Sequence, residues 1–310
     1  GRLCIRDSLI VMTGPLSGTG SFGSSRYVLT TKSPLTGIYL MSISGGHFGS
    51  ELRRAGFDGL ILEGRAEKPA YVYIEDGKIS LRDASAYWGM TTFDTQQVIK
   101  ESLRDNDVQI ACIGPAGENL VPYACVINER RAAGRGGAGA VMGSKNVKAI
   151  VVKGRFDIEV ADRQAFRDIL RQAGKELAVH PTTSKSMPLY GTTGNVTKMN
   201  AAGMLPIRNW QKNWASSGPD RISGESMRPK FMVRDVACAT PCPVRCSKLA
   251  LVREGQYAGT LSEGPEYETL YAFGSCCDVW DAEAVIAADA MCDSLGLDTI
   301  STGVTIAFAM

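Results

Sequence analysis

The sequence predicts an α+β protein, with a β-rich first half and a mainly helical second half. Up to about residue 155, short runs of β-favouring residues alternate with Gly, Pro and Ser. Beyond Gly154 the apolar residues recur at helical spacing instead. A length of 310 residues exceeds what one small core organises, so two domains are expected, 1–155 and 156–310.

The strand runs are Leu9–Met12, Arg26–Lys32, Gly37–Ile43, Gly59–Glu63, Ala70–Ile74, Val108–Ile113 and Val147–Val152. One helix interrupts them, from about Thr92 to Asp105, with Val98, Ile99 and Leu103 on one face. In the second half, Asp162 caps a helix whose stripe is Phe166, Ile169, Leu170, Ala173 and Leu177, and Pro181 is expected to stop it. From Thr182 to about Glu225 the chain reads as a polar, glycine-rich connection. A last helix spans about Asp281 to Leu295, with Val285, Ala288, Cys292 and Leu295 as its buried stripe. No internal repeat stands out.

Composition narrows the class. Hydrophobic content of 44% and charged content of 21% are those of an ordinary soluble globular protein. A net charge of +2 gives no electrostatic footprint for nucleic acid or an acidic membrane surface. No apolar run approaches the length that spans a bilayer. Nine cysteines scattered through so long a chain do not form a secreted disulfide framework, so a reducing compartment, the cytoplasm, is expected. The chain opens on Gly1 and ends inside the apolar run Val304 to Met310, which reads as a piece of a longer protein. A cleaved targeting segment ahead of Gly1 stays open.

Three cysteines, Cys238, Cys242 and Cys246, fall close together around Pro241 and Pro243. Pro241 disfavours the helical conformation at Thr240, and neither proline donates a backbone N–H. A loop curled around a soft metal centre is therefore expected. Three loop thiolates plus a fourth ligand suit a [4Fe–4S] cluster first, and the spacing does not exclude zinc. The other cysteines, Cys4, Cys112, Cys125, Cys276, Cys277 and Cys292, read as small core residues.

Three further stretches carry chemistry. Arg130 to Gly139, ending in Gly143-Ser144-Lys145, is glycine-rich and basic, a composition that lets backbone N–H groups and arginines approach an anion. It is a poor dinucleotide fingerprint, since no helix and βαβ unit is expected after the glycines, and a flexible basic turn is the plain alternative. Gly14 to Thr19, Arg26, Ser33 to Gly37 and Ser44-Gly45-Gly46 suit either a phosphorylated ligand or ordinary hairpin turns. In Asp293 to Asp298, Gly296 fits just past a helix end. Asp293 then faces the negative end of the macrodipole, which calls for a partner such as the N–H donors of a pterin-like ring, or else a solvated position.

Together these stretches resemble the aldehyde:ferredoxin oxidoreductase family of tungsten–pterin enzymes. The resemblance rests on Thr13-Gly14-Pro15-Leu16, Ser33 to Gly37, Ser44-Gly45-Gly46, Arg131 to Gly137 and Val141 to Asn146. It continues through Gly191 to Gly194, Pro206 to Asn209, Gly264 to Thr269 and Asp293 to Asp298. It implies an N-terminal domain of two β-sheets related by pseudo-two-fold symmetry. A mainly helical domain, truncated at the C-terminus, follows. Arg26, Gly45 and the Arg131–Ala132 turn would hold the phosphates of a bis-pterin cofactor carrying tungsten, or molybdenum in its place. Backbone carbonyls near Ile43 and Ala132 would bind a bridging Mg2+. Asp293, Leu297 and Asp298 match the first pterin motif. The second pterin motif, the fourth cluster cysteine and the family's catalytic histidine are expected beyond Met310. The family's loop has two residues between its first cysteines, whereas Cys238 and Cys242 enclose three, so Cys238 is the least secure ligand.

The activity implied is interconversion of aldehydes and carboxylic acids, with electrons leaving through a [4Fe–4S] cluster to ferredoxin or an iron–sulfur partner subunit. Glu268, or failing that Glu266, is the candidate proton-handling carboxylate, in a dry cavity that raises its pKa. A plain helix N-terminus is the alternative for both glutamates. Neither His47 nor His180 is a catalytic candidate. Two other functions stay open: reduction of the aromatic ring of benzoyl-CoA on the same scaffold, and a non-catalytic iron–sulfur electron-transfer module. No nucleic-acid or membrane partner is expected, and a homo-oligomer is compatible.

Overall fold

The computed structural model describes residues 8–238 and 242–310. Cys4 and the Thr240–Pro241 kink lie outside the described residues. The chain forms two compact units. The first runs up to Arg163 and includes Asp293–Asp298, and the second comprises Gln164–Cys292 and Thr299–Met310. The pterin-like motif counts with the first unit.

The first unit holds β1 (Leu9–Thr13), β2 (Tyr27–Lys32), β3 (Tyr39–Ser44), β4 (Gly59–Leu62), β5 (Ala70–Glu75), β6 (Lys78–Asp83), β7 (Gln109–Cys112), β8 (Val126–Asn128), β9 (Arg131–Ala133) and β10 (Val147–Lys153). Its helices are α1 (Phe48–Arg54), α2 (Thr92–Leu103), α3 (Pro115–Glu118) and α4 (Ala138–Ser144). A four-stranded antiparallel sheet has the order β3-β2-β1-β4, and a six-stranded sheet the order β6-β5-β10-β7-β8-β9. In the second sheet only β5 and β10 run parallel.

Side-chain alternation explains which faces are covered. Leu9, Val11, Tyr27 and Leu29 of the smaller sheet join Phe48 and Leu52 of α1, and Val72, Ile74, Ile150 and Val152 of the larger sheet, in one core. The opposite positions, Met12, Met41, Ile43 and Ile61, leave an exposed apolar face on the smaller sheet. The other face of the larger sheet buries Tyr71, Tyr73, Ile110 and Val151 against Ile99 of α2. Thr91 caps α2, its Oγ1 accepting from the Asp94 N–H at 3.1 Å.

The predicted strands and α2 are present with shifted ends, whereas β6, β8, β9, α1, α3 and α4 were not predicted. Helix α4 overturns the expectation that no helix follows the glycine run. Ala138 to Gly143 are all buried, so its sequence has no polar face to mark a period. A Cβ on Gly143 would overlap the Gly117 carbonyl, so the helix packs backbone against backbone. Lys145, expected to end an anion loop, is instead buried, with Nζ donating to the Gly64 carbonyl at 3.2 Å.

The second unit holds α5 (Arg163–Val179, whose first residue belongs to the first unit), α6 (Met187–Tyr190), α7 (Asn195–Ala201), α8 (Gly224–Lys230), α9 (Tyr267–Thr269), α10 (Ala282–Leu295, whose end belongs to the first unit) and α11 (Thr299–Ala309). A three-stranded sheet joins β11 (Met232–Val236), β12 (Ser247–Leu251) and β13 (Leu261–Ser262). Val196, Leu205, Ile222, Met227, Leu270, Val285 and Ile286 form the core.

Helix α5 ends at Val179, before Pro181, as expected, but the Thr182–Glu225 stretch is helical over much of its length, because Pro181 then opens a new segment; proline's fixed φ and missing donor are tolerated in a first turn. Helix α5 forms as predicted, yet none of its residues is buried and Ile169 is 65% exposed. Among the described residues no helix is long and apolar enough to cross a membrane.

Candidate cofactor cradle and cysteine loop

Two edge strands meet in the first unit. β3 ends the four-stranded sheet, β9 ends the six-stranded one, and they lie side by side. Edge strands leave main-chain N–H and C=O groups outside the ladder. A fully buried amide, Asn128, ties the seam. Its Oδ1 accepts from Tyr27 Oη at 2.8 Å and Ser44 Oγ at 3.0 Å, and its Nδ2 donates to the Gly45 carbonyl at 3.2 Å. Ser42 Oγ donates across the same seam to the Gly134 carbonyl at 2.6 Å.

This seam brings the first five candidate residues together. Tyr27 pairs with Ser44, so Arg26 and Gly45 leave the smaller sheet next to each other. Asn128 pairs with Arg131 across a two-residue turn, and Ile127 with Ala132, so both lie on the strand that packs beside β3. Gly46 has φ +86°; a Cβ there would fall on Asn128 Nδ2 and stand 2.8 Å from Glu129 Oε2. The Ser33 turn is a plain turn, its Oγ accepting from the Leu35 and Thr36 N–H groups and donating to the Gly136 carbonyl at 2.7 Å.

An ion pair flanks the cradle. His47 Nδ1 lies 2.8 Å from Glu129 Oε1. The hydrogen bond to Glu129 raises the His47 pKa against the lowering effect of burial. Burial pushes Glu129 up, yet His47, Arg131 and Lys100 together hold it below the usual carboxylate range. Arg130 stacks its guanidinium 4.6 Å from the Phe93 ring centroid.

The remaining three residues join from the other side of the β8–β9 hairpin. Helix α10 ends at Leu295, and Gly296 adopts φ +75°, as expected of a residue past a helix end. The Cys125 N–H donates to the Gly296 carbonyl at 2.8 Å, and Ala124 bridges Leu297. Thr92 Oγ1 donates to the Asp293 carbonyl at 2.7 Å, and Arg135 Nε lies 3.5 Å from Asp298 Oδ2. Asp293 and Asp298 are only 8% and 5% exposed. All eight candidate cofactor residues therefore belong to one unit.

The donor set fits a phosphorylated group bridged by a hard cation. Exposed Arg26 and half-buried Arg131 supply forked cationic donors. Ile43 and Ala132 lie on edge strands that offer carbonyl oxygens, and Asp293 and Asp298 offer acceptors for ring N–H groups.

The cysteine segment lies between β11 and β12 in the second unit. Cys238, Cys242 and Cys246 are half-buried. Burial pushes the Cys246 thiol up, and the charges of Glu266, Cys238 and Cys242 push it the same way. A thiol whose ionisation is opposed by burial and by neighbouring charge is a donor that a bound cation would relieve. Among the described residues no three His, Cys, Asp or Glu side chains are already gathered at ligand spacing. Buried Lys248 clamps the segment, its Nζ donating to the Arg245 carbonyl at 2.8 Å and the Met187 carbonyl at 3.3 Å. Cys112, Cys125, Cys276, Cys277 and Cys292 are buried, as the sequence suggests.

Glu268 and Glu266, expected in a dry cavity, both have exposed side chains among the described residues. They occupy the first turn and N-cap of α9, a position that favours acids for ordinary reasons. Thr192 Oγ1 donates to Glu266 and accepts from the Tyr267 N–H at 2.9 Å. A buried carboxylate of the second unit is Asp289 of α10, at 6% exposure. Sequence reasoning passed over it and over Asn128. The signal for Asp289 was an acid on the apolar stripe of Val285, Ile286 and Cys292.

Two family descriptions match this architecture. The aldehyde ferredoxin oxidoreductase N-terminal domain matches residues 5–154, and domains 2 and 3 of aldehyde ferredoxin oxidoreductase match residues 168–310. The chain belongs to the aldehyde ferredoxin oxidoreductase family. It is similar to the tungsten-containing aldehyde ferredoxin oxidoreductase of Pyrococcus furiosus, at 45% identity over 306 residues, covering 98% of this chain and 49% of that protein. It is also similar to the aliphatic sulfonate oxidoreductase, WOR-like subunit, of the same organism, at 33% identity over 97% of this chain and 49% of that protein. Among solved structures it resembles the active-site complex BamBC of benzoyl coenzyme A reductase with 1,5 dienoyl-CoA. That match has a TM-score of 0.85 and 27% identity, over 98% of this chain and 47% of that one. This member of the aldehyde ferredoxin oxidoreductase family thus spans about half the length of the curated relatives it matches.

Proposed function

We propose that this chain is the cofactor-binding part of a tungsten oxidoreductase that interconverts aldehydes and carboxylic acids. One observation carries the reading: the eight candidate cofactor residues gather in a single unit, around a seam built by Asn128, in a chain 45% identical to a tungsten-containing aldehyde ferredoxin oxidoreductase. An electron-transfer module alone would have no use for that cradle.

A tungsten bis-pterin, when bound, supplies two-electron oxygen-transfer chemistry that no side chain can perform. The chain's own residues bind, orient and move protons. Arg26 and Arg131 neutralise phosphate oxygens, with Gly45 allowing close approach. Carbonyls of Ile43 and Ala132 would hold a Mg2+, and Asp293 and Asp298 would accept from ring N–H donors beside Leu297. Cys238, Cys242 and Cys246 would hold a [4Fe–4S] cluster with a fourth ligand. Glu268 or Glu266 takes up the protons released as an aldehyde and water become an acid, two protons and two electrons. The cofactor and cluster would supply the route by which electrons reach ferredoxin or an iron–sulfur partner subunit, in the cytoplasm.

The full-length protein, purified without oxygen, tests this. Tungsten together with iron, and aldehyde-dependent reduction of a viologen dye, are the expected results. Iron without tungsten would sink the enzyme reading in favour of a module. Zinc alone would overturn the cluster. Turnover of an aromatic CoA thioester with none of any aldehyde would move the assignment to ring reduction, for which the BamBC likeness supplies the fold.

A further inference from the structure

The candidate cradle draws on two backbone segments far apart in sequence, and one helix of the first unit holds both. The first two turns of α2 present Thr92 and Gln96, which are spaced to lie on one face. Thr92 is fully buried, and its Oγ1 donates to the Asp293 carbonyl at 2.7 Å, in the last turn of α10. Gln96 reaches the other segment. Its Oε1 accepts from the Glu129 N–H at 2.8 Å, and its Nε2 donates to the Glu129 carbonyl at 3.1 Å. Glu129 has φ +54° and lies in the turn between β8 and β9, outside the paired residues of that ladder. The Gln96 Nε2 also donates to the Thr92 carbonyl at 3.2 Å, which closes the link between the two contacts. Phe93, beside Thr92, carries the Arg130 guanidinium of the same turn over its ring.

Each of these side-chain bonds ends on main chain, so it fixes where a segment lies whatever side chain that segment bears. A planar amide that grips both the N–H and the C=O of one residue also fixes how that residue is turned. We propose that Thr92 and Gln96 are positioning residues that work as one brace. The brace sets the separation between the Arg131–Ala132 hairpin and the Asp293–Asp298 motif. It acts through the residues it holds and not on the cofactor. The inference rests on the proposed function for what is held, a group with phosphates at one end and ring N–H donors at the other. The brace itself stands on the hydrogen bonds alone. A rigid ligand gripped at two points binds tightly only when those points keep their spacing. The links lie in series, from Asp293 through Thr92 and Gln96 to Glu129, so cutting either one should loosen both ends. Two independent supports would instead give additive effects.

Hydrogen exchange in the full-length protein, read by mass spectrometry, tests the brace. Thr92→Val removes the hydroxyl that holds Asp293, and Gln96→Met removes the grip on Glu129. The probes are the Glu129 N–H at one end and, at the other, the Gly296 and Asp298 N–H groups, which donate to the Asp293 and Tyr123 carbonyls. Either variant should speed exchange about tenfold at both ends. The deciding signals are the remote ones, Glu129 in Thr92→Val and Gly296 in Gln96→Met. Amides of the β5–β6 ladder, at the far edge of the larger sheet, should keep their rates. Thr92→Ser keeps the hydroxyl and should exchange as the wild type does. Rates that rise only beside the altered residue, that rise equally in β5–β6, or that do not rise at all overturn the proposal. Should Thr92→Val fail to fold, the remote signal in Gln96→Met decides alone. Pterin release should be about tenfold faster in either single variant and no more than about twofold faster again in the double. Release about a hundredfold faster in the double would mean two separate supports and defeat the brace. A full-length protein that couples exchange at the two ends but carries no pterin would refute the cofactor reading and leave the brace standing.

Discussion

On the proposed function, the cradle and the cysteine loop would each hold a group that is not polypeptide, and they are built by opposite means. In the first unit the candidate residues ride on strand ends locked by a buried amide, two serines and a tyrosine. In the second, half-buried thiols sit on a segment clamped chiefly by one lysine through backbone carbonyls. A phosphorylated organic cofactor is large and rigid, so its site must be shaped beforehand. A metal cluster brings its own geometry and needs only sulfurs within reach. The cradle should therefore be costly to damage and the loop tolerant.

The largest effect is expected at Asn128. Replacing it with alanine strands the Tyr27 and Ser44 hydroxyls and the Gly45 carbonyl in a buried seam. Loss of roughly 3–5 kcal/mol from the first unit is expected in urea melts, together with loss of pterin from the purified protein. If Asn128→Ala melts like wild type, the cradle is not pre-built and the contrast with the loop is lost.

Next comes Asp289, whose effect depends on pH. Its folded pKa, about 6, lies above the unfolded value of 3.8. The folded state therefore binds this proton more tightly, and stability falls as pH rises from about 4 to about 6. The Asp289→Asn protein should lack that fall, so its advantage over wild type should grow by about 3 kcal/mol between those limits. Denaturation midpoints at a series of pH values measure it, and parallel curves would contradict the buried acid.

A smaller effect attaches to the His47–Glu129 pair. His47 is raised, so its contribution is complete below the unfolded value of 6.5 and is lost as pH climbs through the folded one. Glu129 is lowered, so its contribution is present above the unfolded value of 4.5 and is lost as pH falls through the folded one. The pair is thus at full strength between these limits. With the side chains 47% and 35% exposed, it stabilises by no more than about 1 kcal/mol. Glu129→Gln should remove that increment near pH 5.5 and move the His47 titration, read by proton NMR, to lower pH.

The sequence revealed the two regions unequally. The strands of the first unit were legible because β1, β2 and β10 combine β-branched residues with clear breaks. Arg26, Gly45, Arg131 and Asp298 were legible because glycine and charge stand out against that background. Asn128 was not, since one asparagine before a turn looks like turn chemistry until the turn is seen folded onto β3. Helix α4 was invisible because small residues buried on every side carry no period. In the second unit the cysteines were plain, but the burial of Asp289 was not. Burial at one end of a turn and exposure at the other depend on packing from β13, α9 and α10 together, which no local window contains.

The smallest effect on stability is expected at the thiols themselves. Each is half-buried, and Cys246 in its ionised form would face Glu266 and two more sulfurs. In metal-free protein, serine at Cys238, Cys242 or Cys246 should change the unfolding free energy by no more than about 0.5 kcal/mol. Cys246→Ser should be neutral or slightly stabilising. The same variants, reconstituted with iron and sulfide, should fail to develop the visible absorption of a cluster. Cys238→Ser should retain the most of it, because the extra residue before Cys242 leaves that sulfur least suited to the family's loop. Should Cys238→Ser lose absorption as completely as Cys246→Ser, the longer spacing bulges outward and Cys238 ligates as firmly as its neighbours. A metal-free unit that collapses when one thiol is changed would mean that the loop is as pre-built as the cradle.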